Sequence, residues 1–325
     1  MKRDRAACVF LLAIAWLASV SPALGQTFPN HAVKIEAPYS AGAAPAIFAR
    51  VVADKLAKTW SQPVVVEPRP GGSGFVALEA VRKAPPDGHE LVVVSNAHVA
   101  INPWLYKQLP YDADKDFAPV VLLYRTPFFL VAAADGPYRT VPALIAAAKA
   151  KPEAVSYGSS YVGSPSHLGS AEFEYLTGTK MIHVPYKDQS QMYVAIANGD
   201  VGWAFSTLGS ALPLVKSGRL KLVAVAAKHR LASLPDVPTL AEAGGPDMVV
   251  DSWLAVMAPR GTPQAVIDKI NADVNRALGE PDVQENLKTF GFEAASGTPA
   301  QLGAFIVGES KRFAELVERT GAKAD

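Results

Sequence analysis

Val33-Lys34-Ile35-Glu36-Ala37 runs directly into Pro38-Tyr39-Ser40-Ala41-Gly42-Ala43, and from Ala46 to Lys58 apolar residues recur at Ile47, Val51 and Leu56. β-Branched residues, a loop of small and turn-forming residues, and then a helical period read as strand, turn and helix. The same order follows at once. Val64-Val65-Val66-Glu67 is a second strand, closed by Pro68-Arg69-Pro70-Gly71-Gly72; Phe75 to Lys83 is a helix and Leu91 to Val94 a third strand. This βαβαβ order predicts an α/β class with a mostly parallel sheet.

Outward from this stretch the pattern resets. Val120 to Leu123 and Phe129 to Ala132 read as strands, and Val141 to Ala150 as a helix ending before Pro152. Val155 to Gly158 is a strand, Ser159 to Ser164 a loop and Ser166 to Leu176 a helix. A further strand and helix follow at Met181 to Val184 and Gln191 to Asn198. Val201 to Phe205, Leu222 to Ala226 and Trp253 to Ala258 are strands, and the helices Pro263 to Gly279, Asp282 to Phe290 and Pro299 to Arg319 complete the chain. Two α/β units emerge, with crossings near Arg125 and Gly245. The first lobe is then discontinuous, residues 26–124 and 246–325, and the second spans 125–245.

The start of the chain has a different character. Lys2, Arg3 and Arg5 precede an almost unbroken apolar run from Ala6 to Val20, and Ala23-Leu24-Gly25 offers small residues at cleavage spacing before Gln26. That is the pattern of a secretory signal peptide over residues 1–25, which implies export to the periplasm. The single cysteine, Cys8, lies inside the run, so the mature chain holds none and must rely on packing rather than disulfides. Half of the 325 residues are apolar and the net charge is +1. With no basic block and no aromatic–basic interleaving, nucleic acid is not an expected partner.

In open α/β sheets ligands bind beyond the carboxyl ends of the strands. Three loops there draw attention. Pro38 to Ala43 combines small residues with a following helix start. Ser159-Ser160-Tyr161-Val162-Gly163-Ser164 brings hydroxyls to another, and Phe205-Ser206-Thr207 ends a strand. Helix starts facing one another across a cleft would hold a carboxylate without a buried arginine. Each loop taken alone also suits ordinary helix capping.

Other motifs carry less. Gly72-Ser73-Gly74-Phe75-Val76-Ala77 matches G-x-G-x-x-A, but Pro68-Arg69-Pro70 intervenes and the next strand ends in Ser95-Asn96 instead of an acid, so no nucleotide cofactor is expected. The six histidines, His31, His89, His98, His167, His183 and His229, show no ligand spacing, so no metal is expected. Asp112, Asp114 and Asp116 lack the glycine and glutamate of a calcium loop. No G-x-S-x-G elbow occurs. His167 beside Ser164 and Ser166 keeps an exported α/β hydrolase open as an alternative, to be decided by whether Ser164, His167 and an acid meet.

The same loops carry a family likeness. Over nearly the whole mature chain the sequence resembles the Bug family, the TctC-like receptors of tripartite tricarboxylate transporters. The matching stretches include Pro38-Tyr39-Ser40-Ala41-Gly42, Arg69-Pro70-Gly71, Pro86-Asp87-Gly88 and Ile101-Asn102-Pro103-Trp104-Leu105-Tyr106-Lys107. Later ones are His183-Val184-Pro185-Tyr186-Lys187, Leu234-Pro235-Asp236-Val237-Pro238-Thr239 and Gly261-Thr262-Pro263, all in family order. The resemblance implies a type II periplasmic-binding-protein fold, with two lobes closing by a hinge on a small carboxylate. It further implies delivery to membrane permease subunits and no catalysis. A sensor that no longer serves transport also stays open.

The family's first binding loop, roughly G-G-x-x-D, falls on Gly42-Ala43-Ala44-Pro45-Ala46, where the second glycine is Ala43 and the acid is Ala46. Asp188 stands for a glycine and Ser206 for an acid. Alanine can pair with no ligand ammonium, so the expected ligand is a carboxylate without an amino group, aliphatic or aromatic. On this basis Tyr39 is expected to pack on the ligand and offer its hydroxyl. Ser40, Ala41, Gly42 and Ala43 are expected to give backbone contacts, with Ala46 at the position of the lost acid. Ser95 and Asn96 should line the first lobe. Ser159, Gly163, Ser164, Tyr186, Ser206 and Thr207 should line the second. Trp253 reads as core or hinge packing and His167 as structural. The protein is expected to act as a monomer.

Overall fold

In the computed structural model, residues 28–186 and 189–324 are described. The stretch read as a signal peptide, with Cys8, and also Lys187, Asp188 and Asp325 lie outside the described residues. The chain runs through β1 (Val33–Ala37), α1 (Ala44–Trp60), β2 (Val64–Pro68), α2 (Phe75–Arg82) and β3 (Glu90–Ser95). A wide π-type turn at Ala97–Ile101 leads into the short α3 (Asn102–Leu105) and then the long β4 (Phe117–Ala133). Next come α4 (Val141–Ala150), β5 (Ser156–Ser159), α5 (Pro165–Thr177), β6 (Ile182–Pro185), α6 (Gln189–Asn198), β7 (Trp203–Thr207), α7 (Leu208–Lys216) and β8 (Leu220–Val225). The chain closes with β9 (Asp251–Pro259), α8 (Gln264–Leu278), α9 (Pro281–Phe290), β10 (Glu293–Ala294) and α10 (Pro299–Thr320).

β1 lies between β2 and β3, parallel to both, and β5 lies between β6 and β7, again parallel. These are the parallel strands that the alternating pattern predicts. The centre is antiparallel: β9 joins β3 to β4. What reads in the sequence as two strands is a single one. β4 pairs with β9 from Phe117 to Pro127, then from Phe128 onward with β7 and β8. The partner change at Pro127/Phe128, with the β9 start at Asp251, makes the connection between the lobes. The sequence reading puts these crossings near Arg125 and Gly245. Pro119 can donate no ladder hydrogen bond, and the register slips there.

Helices cover both faces of each sheet. α1 buries Ala46, Phe48, Ala49, Val52, Ala53, Leu56 and Trp60 against β1 and β2, and α8 closes the same core with Ile267, Ile270 and Val274. On the opposite face Leu78 and Val81 of α2 pack with Leu302, Ile306 and Phe313 of α10. In the second lobe α4 and α5 cover one face and α6 and α7 the other. Truncating a fully buried residue such as Leu56 to alanine would cost about 2–5 kcal/mol.

Asn96 and Asp251 knot the joint. The Asn96 amide donates to the Asp251 carbonyl at 3.0 Å, its oxygen accepts from Ser252 Oγ at 3.1 Å, and Arg125 Nε donates to the Asp251 carboxylate at 2.9 Å. The Gly-Ser-Gly match has a packing cause: Gly74 has φ +91°, and a Cβ there would stand 2.3 Å from the His98 ring. Among the described residues no helix is long and apolar enough to cross a membrane.

Candidate functional site

The carboxyl ends of β1, β3 and β7 open onto a cavity of about 480 Å³ between the two sheets. The first lobe contributes Tyr39, Gly42 to Pro45 and Ser95 to Ala97; the second contributes Ser160, Tyr161, Ser164 to Ser166, Gln189, Thr207 and Ser210. Tyr124, Thr126 and Phe128 of β4, Ser252 and Trp253 of β9, and Phe292 form the floor. Much of that floor is apolar and rigid. Tyr124 stacks on Phe292 at 3.8 Å, and Trp253, with no exposed surface, is held by its Nε1–H to Glu309 at 3.1 Å.

Among the described residues four helices begin at this cavity: α6, with Gln189 in the wall, and three more. α1 starts after Ala43, with Pro45 in its first turn and no side chain capping it. α5 starts after Ser164, whose Oγ accepts from the His167 backbone N–H at 3.2 Å. α7 starts after Thr207, whose hydroxyl donates to Ser210 Oγ and caps no backbone group. The first turn of a helix leaves N–H groups without intrahelical partners and carries partial positive charge. Among the described residues lining the cavity none carries a formal charge. The field from these residues therefore favours an anion, and none of them is a carboxylate that could pair an ammonium.

One wall is a chain of neutral polar groups. Tyr39 meets the His98 ring edge-on at 5.6 Å, and Ser95 Oγ lies 3.2 Å from His98 Nδ1. His98 Nδ1 accepts from the Ser95 backbone N–H at 3.0 Å, and burial lowers its pKa to about 4. Burial raises the Tyr39 pKa well above the usual phenol value, so the hydroxyl keeps its proton and can donate.

Of the candidate residues, Tyr39, Gly42, Ala43, Ser95, Asn96, Ser164 and Thr207 line this cavity. The others stand elsewhere. Ser40 and Ala41 are exposed on the turn, where the Ala41 carbonyl accepts from Arg50 at 2.7 Å. Ala46 is fully buried in the first lobe's core, so the loop meets the cavity through Ala43, Ala44 and Pro45. Ser159 is bonded to His183 Nε2 at 2.6 Å, and Ser206 to the Tyr193 hydroxyl at 2.7 Å, both buried. Tyr186 lies behind the wall, its N–H donating to the Ser159 carbonyl at 2.9 Å. Gly163 touches the other lobe: a Cβ there would come 2.3 Å from Leu105 Cδ2.

Sequence reasoning missed Tyr124, Thr126, Phe128 and Phe292, because strand residues of this kind read as core. Gln189 and Ser210 sit in helix first turns, and only the loop-then-helix pattern could have suggested them.

The arrangement lacks hydrolase geometry. Ser164 Oγ meets the backbone N–H of His167, not its ring. The ring's Nδ1 accepts from Gly163 N–H at 2.9 Å, and its face stacks on His183 at 3.9 Å. Burial lowers the His167 pKa to about 4. Its ring is committed to its own lobe.

Comparison with known proteins gives the same direction. The profile of the tripartite tricarboxylate transporter family receptor, TctC, matches residues 48–322. Protein BugT of Bordetella pertussis is 32% identical over 99% of both chains. Among solved structures, R. palustris Rpa4515 with adipate is 31% identical with a TM-score of 0.82, covering 91% of this chain and 99% of that one. MatC (Rpa3494) from Rhodopseudomonas palustris with bound malate is 30% identical with a TM-score of 0.77, covering 89% and 100%.

Proposed function

The chain belongs to the TctC family of tripartite tricarboxylate transporter receptors, and on that premise we propose that it captures a small organic carboxylate lacking an amino group. It is a solute-binding receptor and not an enzyme. In the proposed cycle it acts as a monomer in the periplasm after removal of residues 1–25 and hands its ligand to the permease subunits of a tripartite transporter. Lobe 1 (residues 26–124 and 246–325) and lobe 2 (residues 125–245) close on the ligand by hinging at β4 and β9.

The observation that carries this reading is the cavity onto which α1, α5 and α7 all open and whose described lining residues carry no formal charge. Backbone N–H groups of the first turns and the hydroxyls of Tyr39, Ser164 and Thr207 hold the carboxylate. The floor of Tyr124, Phe128, Trp253 and Phe292 takes the hydrocarbon body. An α-ammonium would be desolvated beside helix N-termini with no acid among the described lining residues to pair it, at a cost of several kcal/mol. Adipate and malate, bound by the two structural relatives, are the first compounds to try.

The test is a thermal-shift screen of the mature protein against carboxylates with and without amino groups. A ligand at 100 times its dissociation constant adds about 2.7 kcal/mol to the folded state, a rise of several degrees. A non-amino carboxylate should give the largest rise. A larger rise with aspartate or glutamate would defeat the proposal.

A further inference from the structure

At the other end of the first lobe, away from the cavity, the chain enters β1 through Asn30-His31 and β3 through Asp87-Gly88-His89. The sequence separates these histidines by more than a turn or loop, and no motif links them. The fold brings them together: ligand atoms of His31, Asp87 and His89 lie within 4.8 Å of one another. We infer that these three side chains form a binding site for a divalent transition-metal cation of the zinc class.

The state of His89 is the second observation. It is only 8% exposed, and its buried Nδ1 faces the Asp87 carboxylate, with Oδ1 at 3.2 Å in poor hydrogen-bond alignment. A buried ring nitrogen held to a carboxylate at this distance and angle is weakly compensated for its desolvation, and a metal shared by both groups would compensate it more fully. His31 is exposed, and its Nδ1 faces Asn30 Oδ1 at 2.5 Å. That contact holds the proton on Nδ1 and leaves the Nε2 lone pair for a ligand, as an outer hydrogen bond does for metal-bound imidazole. Two imidazoles and one carboxylate suit Zn²⁺ or a neighbouring first-row ion better than Ca²⁺ or Mg²⁺, which prefer all-oxygen sets.

Loading requires a defined rearrangement. Tetrahedral ligands at about 2.0–2.1 Å from zinc stand roughly 3.3–3.4 Å apart, closer than the present spread. The His31 and His89 rings lie parallel at 3.7 Å, whereas imidazole lone pairs point in the ring plane. His31 must therefore turn out of the stack, which its exposure permits, and Asp87, also exposed, moves with it. The long 3.4 Å contact from Asn30 N–H to His89 Nε2 gives way as the His89 proton moves to Nε2. Two loop positions and water complete the picture: the ion ties the segment before β1 to the loop before β3 and leaves at least one coordination position to solvent.

The experiment uses the full exported chain purified without a histidine tag. Zn²⁺ is titrated calorimetrically, and Co²⁺ is followed by its visible absorbance. The expected result is one ion per chain with a micromolar or tighter dissociation constant and a tetrahedral cobalt spectrum. His31→Ala and Asp87→Asn should each weaken binding at least tenfold. Both change exposed residues, so metal-free melting should stay within a degree or two of wild type. Binding of equal strength in both variants would overturn the inference. So would an affinity no better than millimolar, or an octahedral cobalt spectrum unchanged by either substitution.

Discussion

Gly163 is a point where the two lobes touch beside the cavity, and replacing it with alanine separates two energetic effects. The residue has φ +81°, a conformation that costs an L-residue about 1–2 kcal/mol, and this cost is paid in every arrangement of the lobes. The second effect depends on the lobes. A Cβ would stand 2.3 Å from Leu105 Cδ2 and 3.1 Å from Leu105 Cγ, on α3 of the other lobe. Overpacking of this kind costs about 1–3 kcal/mol, and swinging the lobes apart removes it. A ligand held between the lobes must work against that second term alone, so its dissociation constant should rise by about 5- to 150-fold. The assay is calorimetric titration with the best carboxylate from the thermal screen, together with the radius of gyration from small-angle scattering. Gly163→Ala should bind more weakly and scatter as a more open particle. Adding Leu105→Ala should restore affinity to within a few-fold of Leu105→Ala alone, a coupling expected only for residues in contact. Unchanged affinity in Gly163→Ala, or a loss that Leu105→Ala does not relieve, would refute the reasoning.

Three further outcomes follow from the same geometry. Ser164→Asp should keep the α5 cap, since aspartate caps as well as serine, and so leave the melting temperature near wild type, yet it should abolish carboxylate binding by placing a charge in the anion site; retained affinity in calorimetry would count against the site. Asn96→Ala should destabilise the protein by about 1–3 kcal/mol in urea unfolding, because it strands the buried Asp251 carbonyl and Ser252 hydroxyl at the joint. Stability should also fall with acid. Burial holds His98 and His167 at pKa values of about 4, below their ordinary 6.5, so the unfolded chain binds protons that the folded one refuses. Their contribution is complete above pH 6.5 and is lost as pH falls from 6.5 towards 4, by roughly 2–3 kcal/mol for each histidine. Burial holds His183 at about 4 as well, so urea midpoints that fall over that window less steeply in a His98→Asn, His167→Asn variant than in wild type would match this, and an equal fall would contradict it.

Much of the fold is legible in the chain because its parallel strands are short β-branched runs bounded by turns, as at Val33–Ala37 and Val64–Pro68. The long strand β4 is not. Pro119 and Pro127 break its pattern, and only the pairing of one strand with two sheets explains why it continues. Helix α7 escapes notice for a similar reason, since Gly209 and Pro213 disguise its period. The helix starts of α1 and α5 at the cavity were readable from loops of small and hydroxyl residues, whereas that of α7 reads only as the strand end Phe205-Ser206-Thr207. The cavity floor was not readable: Tyr124, Phe128 and Phe292 are apolar strand or loop residues whose exposure to a cleft depends on how the second lobe meets the first. Ala46 shows the opposite error, where a position matched to a binding motif turns its methyl into the core. The case for a ligand without an ammonium therefore rests on the uncharged lining of the cavity more than on the alanine itself.

Glutarate and glutamate share one carbon skeleton and differ by a single ammonium group, so their calorimetric titration into the mature protein tests the central claim most directly. The account predicts that glutarate binds at least tenfold more tightly, because the described lining of the cavity offers helix N-termini and hydroxyls to the carboxylates and no acid to the ammonium. Glutamate binding as tightly as glutarate, or more so, would contradict it.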